Sequence, residues 1–282
     1  MLKQRVITAV VLLALLLPAL FASNPLFFMG LTVVFIAAGA WEWGRLNAMP
    51  AWASWLGALL CLLCCILAQQ GGWVQETPSW VWPTAGSFWV LFGAWMIHRG
   101  VPGWGLWRKS WRWTGGLLAL ILAWLALAQA HQRGVNFLLS ILVLVWAADV
   151  FAYFFGKALG GRWIPIKLAA SISPGKSWEG VLGGMLGVFL VAFLWVLVDQ
   201  HYALSNLSFY SLILGKGLWV VVPALLFMAA MSVVGDLLES LVKRSAGMKD
   251  SSGLLPGHGG VLDRVDALLP TLPLAMMLIS GI

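Results

Sequence analysis

The sequence predicts an all-α, polytopic membrane protein with about nine transmembrane helices, and three observations carry that expectation. The 282 residues are 61% hydrophobic and only 10% charged, with a mean hydropathy of +0.92, where a soluble domain carries about a quarter charged residues. Apolar runs near the length a helix needs to cross a bilayer, about 20 residues, recur along the chain. The basic residues fall almost entirely on alternate segments between those runs, as the positive-inside rule requires.

The first run, 6–22, follows Met1-Leu-Lys-Gln-Arg5 and resembles a signal peptide. No small-x-small cleavage site follows it and another span begins at once, so it reads as a retained helix. The next spans are 26–44 and 52–69, the latter holding Cys61, Cys64 and Cys65. With no histidine or second cysteine group nearby, these are small apolar packing residues and not a metal site. The run 81–98 carries Pro83 and several tryptophans, and 115–130 is short. The remaining spans are 135–155, 180–198, 218–238 and 267–282.

With the N-terminus cytosolic and the C-terminus outside, the inner segments hold all 17 Lys and Arg except Arg133 and Lys216. Adding or removing one span would scramble that asymmetry. The net charge of +7 therefore reads as loops held against anionic lipid, not as nucleic-acid binding. Trp73, Trp80 and Trp82 flank the outer side, and Trp104, Trp107, Trp111 and Trp113 the inner side, at headgroup level. The chain forms a single integral membrane domain over 1–282. It divides into N-terminal spans (1–130) and a second half (135–282) with cytosolic loops 156–180 and 239–266.

Chemistry concentrates in that second half. Seven of the ten acidic residues, Asp149, Glu179, Asp236, Glu239, Asp250, Asp263 and Asp266, lie there at or near inner helix ends. Carboxylates at membrane depth are costly unless paired, metal-bound or facing water. In the densest stretch, Gly235 to Asp266, Asp236, Glu239, Ser240 and Lys243 share one helix face by their i, i+3, i+4 and i+7 spacing. A loop containing Gly253, Pro256, Gly257, Gly259 and Gly260 follows, and Asp263 and Asp266 share a face as the ninth span begins. Backbone N–H groups of a glycine-rich loop approach phosphate oxygens closely, and Mg²⁺ typically uses one or two carboxylates plus substrate phosphates. The residues thus describe a hard-cation and polyphosphate site. On composition alone, a solvated loop with capping residues accounts for them equally well.

Lys176 follows Pro174 and Gly175 next to a helix start and suits a phosphate contact. Gly175-Lys176-Ser177 is not the end of a P-loop, because position 170 is Ala170 and a helical membrane protein offers no preceding strand. Glu179 fits a helix-start charge and a site residue equally. His98, His131 and His201 sit singly at span ends. His258 lies inside the glycine loop and suits a phosphate or nucleotide contact better than zinc.

The ordered string Ser240-x-Val-Lys-Arg244, Lys249-Asp250, Leu255-Pro-x-His258-Gly-Gly260, Asp263-Arg264-x-Asp266 resembles the signature of the phosphatidate cytidylyltransferases, or CDP-diacylglycerol synthases. The likeness extends through Gly235-Asp236, Ser173-Pro-Gly-Lys176-Ser-Trp-Glu-Gly180 and Asp149 to Lys157, roughly the C-terminal half, with a departure at Val150. The resemblance implies Mg²⁺-dependent transfer of the cytidylyl group of CTP to phosphatidate, giving CDP-diacylglycerol and pyrophosphate in phospholipid biosynthesis. It assigns metal binding to Asp236 and Asp263, and a catalytic set of Asp263, Asp266, Lys243 and Asp149. Substrate contacts fall to Lys176, Ser240, Arg244, Lys249, His258 and Arg264. It leaves room for a second cation such as K⁺ and for a homodimer. The setting it implies is a bacterial inner membrane, with the site at the cytosolic headgroup level. An ion-coupled secondary transporter and another lipid-headgroup transferase stand as the alternatives. A transporter would place its charges mid-membrane on several helices, and a CDP-alcohol phosphatidyltransferase would carry an Asp-Gly-x-x-Ala-Arg run that is absent here.

Overall fold

The structure, a computed structural model, describes residues 2–280. Met1 and the last two residues of the proposed ninth span lie outside the described residues. The chain forms α1 (Leu2–Leu20), α2 (Pro25–Leu46), α3 (Ala51–Gln70), α4 (Val81–Gly105), α5 (Lys109–Arg133) and α6 (Val135–Leu159). There follow α7 (Trp178–His201), α8 (Phe209–Leu214), α9 (Leu218–Ser245), α10 (Leu262–Val265) and α11 (Leu268–Ile279). Each of the nine proposed spans falls on a helix. Seven of the helices are long and apolar enough to cross a membrane: α1, α2, α3, α5, α6, α7 and α9. The fourth proposed span falls on α4, which breaks at Gly100, whose φ of 67° leaves the helical region two residues before Pro102. The ninth, α11, has 12 residues. The short helices α8 and α10 lie in segments that the sequence reads as loop or helix start.

Local signals explain the boundaries. Asn24 caps α2, its side chain accepting from the Leu26 N–H at 2.9 Å, with Pro25 in the first turn. Ser177 caps α7 through the Gly180 N–H at 3.2 Å. Beyond α9, Gly247 takes a φ of 69°, the left-handed conformation that ends many helices.

The contacts sort the helix ends into two groups. At one end, Arg5 in α1 donates to the Gly257 carbonyl at 3.0 Å. There Trp43 near the end of α2 donates to the Arg112 carbonyl near the start of α5 at 2.9 Å. Lys176, just before α7, reaches Asp236 in the later part of α9. At the opposite end, His131 of α5 pairs with the Leu20 carbonyl at 3.1 Å. Asn136 at the start of α6 donates to Asp199 near the end of α7 at 2.9 Å, and Lys216 before α9 reaches the Leu278 carbonyl at 3.0 Å. Long neighbouring helices therefore alternate in direction. The helix α11 fills the middle, packed on α4, α5, α6, α8 and α9, with Leu274, Ala275 and Ile279 fully buried.

The most extensive packing joins α6 to α7, and glycines make it. Gly180, Gly183, Gly184 and Gly187 line one face of α7, the spacing at which small residues let helices in lipid approach closely. A methyl group at Gly184 would lie 2.7 Å from the Ala148 carbonyl oxygen, and one at Gly183 would overlap the Phe155 side chain. This contact sets Asp149 on α6 beside the segment that leads into α7. Gly184→Leu is expected to destabilise the protein by overpacking, on the order of 1–3 kcal/mol. The measurement is the thermal midpoint in detergent, and an unchanged midpoint would contradict the assigned contact.

Candidate functional site

Charge at the first end of the bundle is organised in two clusters joined by α9. The first surrounds a cavity of about 450 Å³ whose walls include Asp149, Tyr153, Lys157, Lys176, Ser177 and Asp236. Lys176 and Asp236 form an ion pair at 2.6 Å, each about a quarter to a third exposed. Ser240, one turn further along α9, donates to the other oxygen of Asp236 at 3.3 Å.

The second cluster lies one turn beyond. Lys243 is held between Glu239, four residues earlier on α9, and Asp263, whose Oδ1 accepts from Lys243 Nζ at 2.6 Å. The other oxygen of Asp263 accepts from the Ser251 N–H at 2.8 Å, the Ser251 hydroxyl at 2.9 Å and the Gly260 N–H at 2.7 Å. Burial alone would push the Asp263 carboxyl up, but Lys243 and the N–H groups of Gly260 and Ser251 hold it down at about 2. Asp266 differs. Burial, and then the negative charges of Asp236 and Asp149, push its carboxyl up to about 7. Asp266 thus feels carboxylates of both clusters, although its own burial is the larger cause of its rise.

The glycine-rich segment between α9 and α10 is a built loop. The Leu255 carbonyl accepts from the His258 N–H at 2.8 Å, and Leu255 N–H donates to the Gly259 carbonyl at 2.8 Å. Pro256 leads this turn and Gly257 follows with a φ of 77°, the arrangement of a type II turn. Gly259 lets Asp263 approach: a methyl group there would lie 2.6 Å from Asp263 Oδ2.

The sequence profile of the cytidylyltransferase family matches residues 3–281, covering both clusters and the N-terminal helices. The chain belongs to the cytidylyltransferase family. It is 40% identical to a phosphatidate cytidylyltransferase of Pseudomonas aeruginosa, across 97% of this chain and 95% of that protein. Proteins of the same name from Haemophilus influenzae (34% identical; 97% and 96% covered) and Brucella abortus (35%; 95% and 89%) are similar along nearly their full lengths.

The predicted residues fall into the two clusters. Asp149, Lys176 and Asp236 meet at the cavity, while Ser240, Lys243, Asp263 and Asp266 extend the site along α9 and into α10. Arg244, Lys249 and Arg264 are exposed, and among the described residues none of the three pairs with a carboxylate. His258 presents its Nδ1 without a hydrogen-bond partner among the described residues. Glu179 contacts the loop before α7. It is buried, and its Oε1 accepts from the N–H groups of Trp163 and Ile164 at 3.0 and 2.9 Å, tying down the loop that carries Lys176.

Sequence reasoning missed Glu42. This residue of α2 is fully buried, and its carboxylate accepts from the N–H groups of Val261 and Leu262 at 2.9 and 2.8 Å. The hydroxyls of Ser252 and Ser251 also contact it, at 2.5 and 3.2 Å. Thr8 adds a further tie, donating to the Pro256 carbonyl at 2.8 Å. The available signal was a lone carboxylate in an apolar run at the inner end of a span.

The two aspartates give opposite pH dependences. The folded-state pKa of Asp263 lies below the unfolded value of about 3.9, so its stabilisation is complete above that value and is lost as pH falls towards about 2. Asp266 is raised. Its contribution is complete below about 3.9 and is lost as pH rises through about 7. In detergent with a chelator, the thermal midpoint should fall between about pH 5 and pH 8, and Asp266→Asn should flatten that slope. An identical slope in wild type and variant would refute the environment assigned to Asp266.

Proposed function

We propose that this chain transfers the cytidylyl group of CTP to phosphatidate, forming CDP-diacylglycerol and pyrophosphate, with Mg²⁺ as cofactor and the site on the cytosolic face of a bacterial inner membrane. The observation that carries this reading is the pairing of Lys176 with Asp236 and Lys243 with Asp263, beside a cavity and a glycine-rich loop. It stands in a chain whose relatives are named phosphatidate cytidylyltransferases.

The donor set suits a divalent cation. Asp236 and Asp263 each hold an ammonium group at 2.6 Å, so each already presents carboxylate oxygen to positive charge. Asp149 and Asp266 add carboxylates near this pair, and a second cation such as K⁺ keeps its place beside Mg²⁺. Among the described residues no group of three or more acidic, histidine or cysteine side chains converges as a preformed cage, in keeping with a cation completed by substrate phosphates. Asp236 and Asp263 would hold Mg²⁺, with Asp149 and Asp266 beside them. The ion would supply neutralisation of the triphosphate and of the departing pyrophosphate.

The protein's own groups do the rest. Lys176, in the wall of the cavity, would contact phosphate there. Lys243 keeps Asp263 ionised and aimed. Exposed Arg244, Lys249 and Arg264, with Ser240 and His258, bind the triphosphate and the phosphatidate headgroup. A phosphatidate oxygen attacks the α-phosphorus of CTP, the bond from that phosphorus to the bridging oxygen breaks, and pyrophosphate leaves. Phosphatidate is ionised at neutral pH, so no base is required. Catalysis is chiefly positioning and charge neutralisation. A membrane-anchored substrate and a soluble one meet at headgroup level, where this end of the bundle would lie.

Purified protein should release pyrophosphate from CTP only when phosphatidate and Mg²⁺ are both present, and chelation should abolish release. Release independent of phosphatidate would refute the reading. Asp263→Asn should lower kcat at least about 100-fold while inserting normally; full turnover in radiolabelled-CTP assays would remove Asp263 from the site. Lys176→Ala should chiefly raise KM, about 10-fold or more, and unchanged KM for both substrates would contradict its role.

A further inference from the structure

We infer that Glu42, outside the signature and about 200 residues before it, is a positioning residue of the transfer reaction, acting through Ser251 on Asp263; the inference rests on the reading of Asp263 given above. The two carboxylates share one frame. Of three successive N–H groups, that of Gly260 bonds Asp263, and those of Val261 and Leu262 bond Glu42. The Ser251 hydroxyl lies within hydrogen-bond distance of both, at 2.9 Å from Asp263 and 3.2 Å from Glu42. It has one proton to give, while the Ser251 N–H remains on Asp263. A shift of Glu42 therefore moves the peptide and the serine that aim Asp263.

Three donors are committed to Glu42, Ser252 and Val261 on Oε1 and Leu262 on Oε2, and the Ser251 proton, shared with Asp263, can make a fourth. That matches the acceptor capacity of a carboxylate and exceeds that of an amide. In Glu42→Gln the amide NH₂ would face a backbone N–H, donor against donor, at constant side-chain volume. The surroundings leave little room to relax, since a methyl group at Gly260 would lie 2.3 Å from Glu42 Oε1. By this link α2, an N-terminal helix, takes part in the site.

The test compares wild type, Glu42→Gln, Ser251→Ala, the double variant and Asp263→Asn, with both substrates saturating and thermal midpoints measured in parallel. Displacement of a reacting group by about 1 Å costs up to about 100-fold. Glu42→Gln should therefore lower kcat about 10- to 100-fold, with KM for phosphatidate changed less than about 2-fold. Because both residues act on Asp263, the double variant should be no slower than the product of the single losses predicts, and close to the slower single. Wild-type kcat in Glu42→Gln, or independent multiplication of the two losses, overturns the inference. If Glu42→Gln does not fold, Ser251→Ala decides alone: it leaves three donors on Glu42, and unchanged kcat there is equally fatal. An active Asp263→Asn variant would instead refute the reading of the site, whereas an inactive one beside a normal Glu42→Gln refutes only the positioning role.

Discussion

Lys243 sits between Glu239 and Asp263, and this end of the bundle is arranged around that shared cation. A buried carboxylate without a partner is costly, and here two carboxylates from different elements draw on one ammonium. The arrangement ties the end of α9 to α10. It leaves Asp263 free to collect the Ser251 and Gly260 donors, which in turn shape the glycine-rich loop. Two turns earlier on α9, Asp236 solves the same problem with Lys176, and so recruits the segment before α7. Charge pairing across elements, more than loop conformation alone, assembles the clusters from separate parts of the chain.

Apolar packing supplies the rigid frame for those pairs. The glycine face of α7 brings it against α6 closely enough that Asp149 and Lys176 line the same cavity. Gly235 does similar work on α9, where a methyl group would lie 2.5 Å from the Asp266 carbonyl oxygen. Small residues thus sit next to the charged ones because the backbones must approach for the side chains to meet.

Much of this was legible in the sequence. Apolar runs and the distribution of Lys and Arg placed helices at all nine proposed spans, since burial in lipid demands both. The i, i+3, i+4 and i+7 spacing placed Asp236, Glu239, Ser240 and Lys243 along one face. The short helices α8 and α10 were not legible, because six and four residues carry too little periodicity to separate from a turn. The partners of single residues were also hidden. Glu179 read equally as a helix-start charge or a site residue until the Trp163 and Ile164 N–H groups were seen on it. Glu42 stood alone in an apolar segment, and nothing local announces donors more than 200 residues away.

The central place of α11 bears on the order in which the molecule comes together. Every helix it packs against, α4, α5, α6, α8 and α9, precedes it along the chain. During synthesis these helices exist before the element that fills the space between them. Only when α11 seats does the Gly235 backbone meet its partner, fixing α9 against the Asp266 segment. The ribosome therefore delivers α4, α5, α6, α8 and α9 before the helix that packs between them.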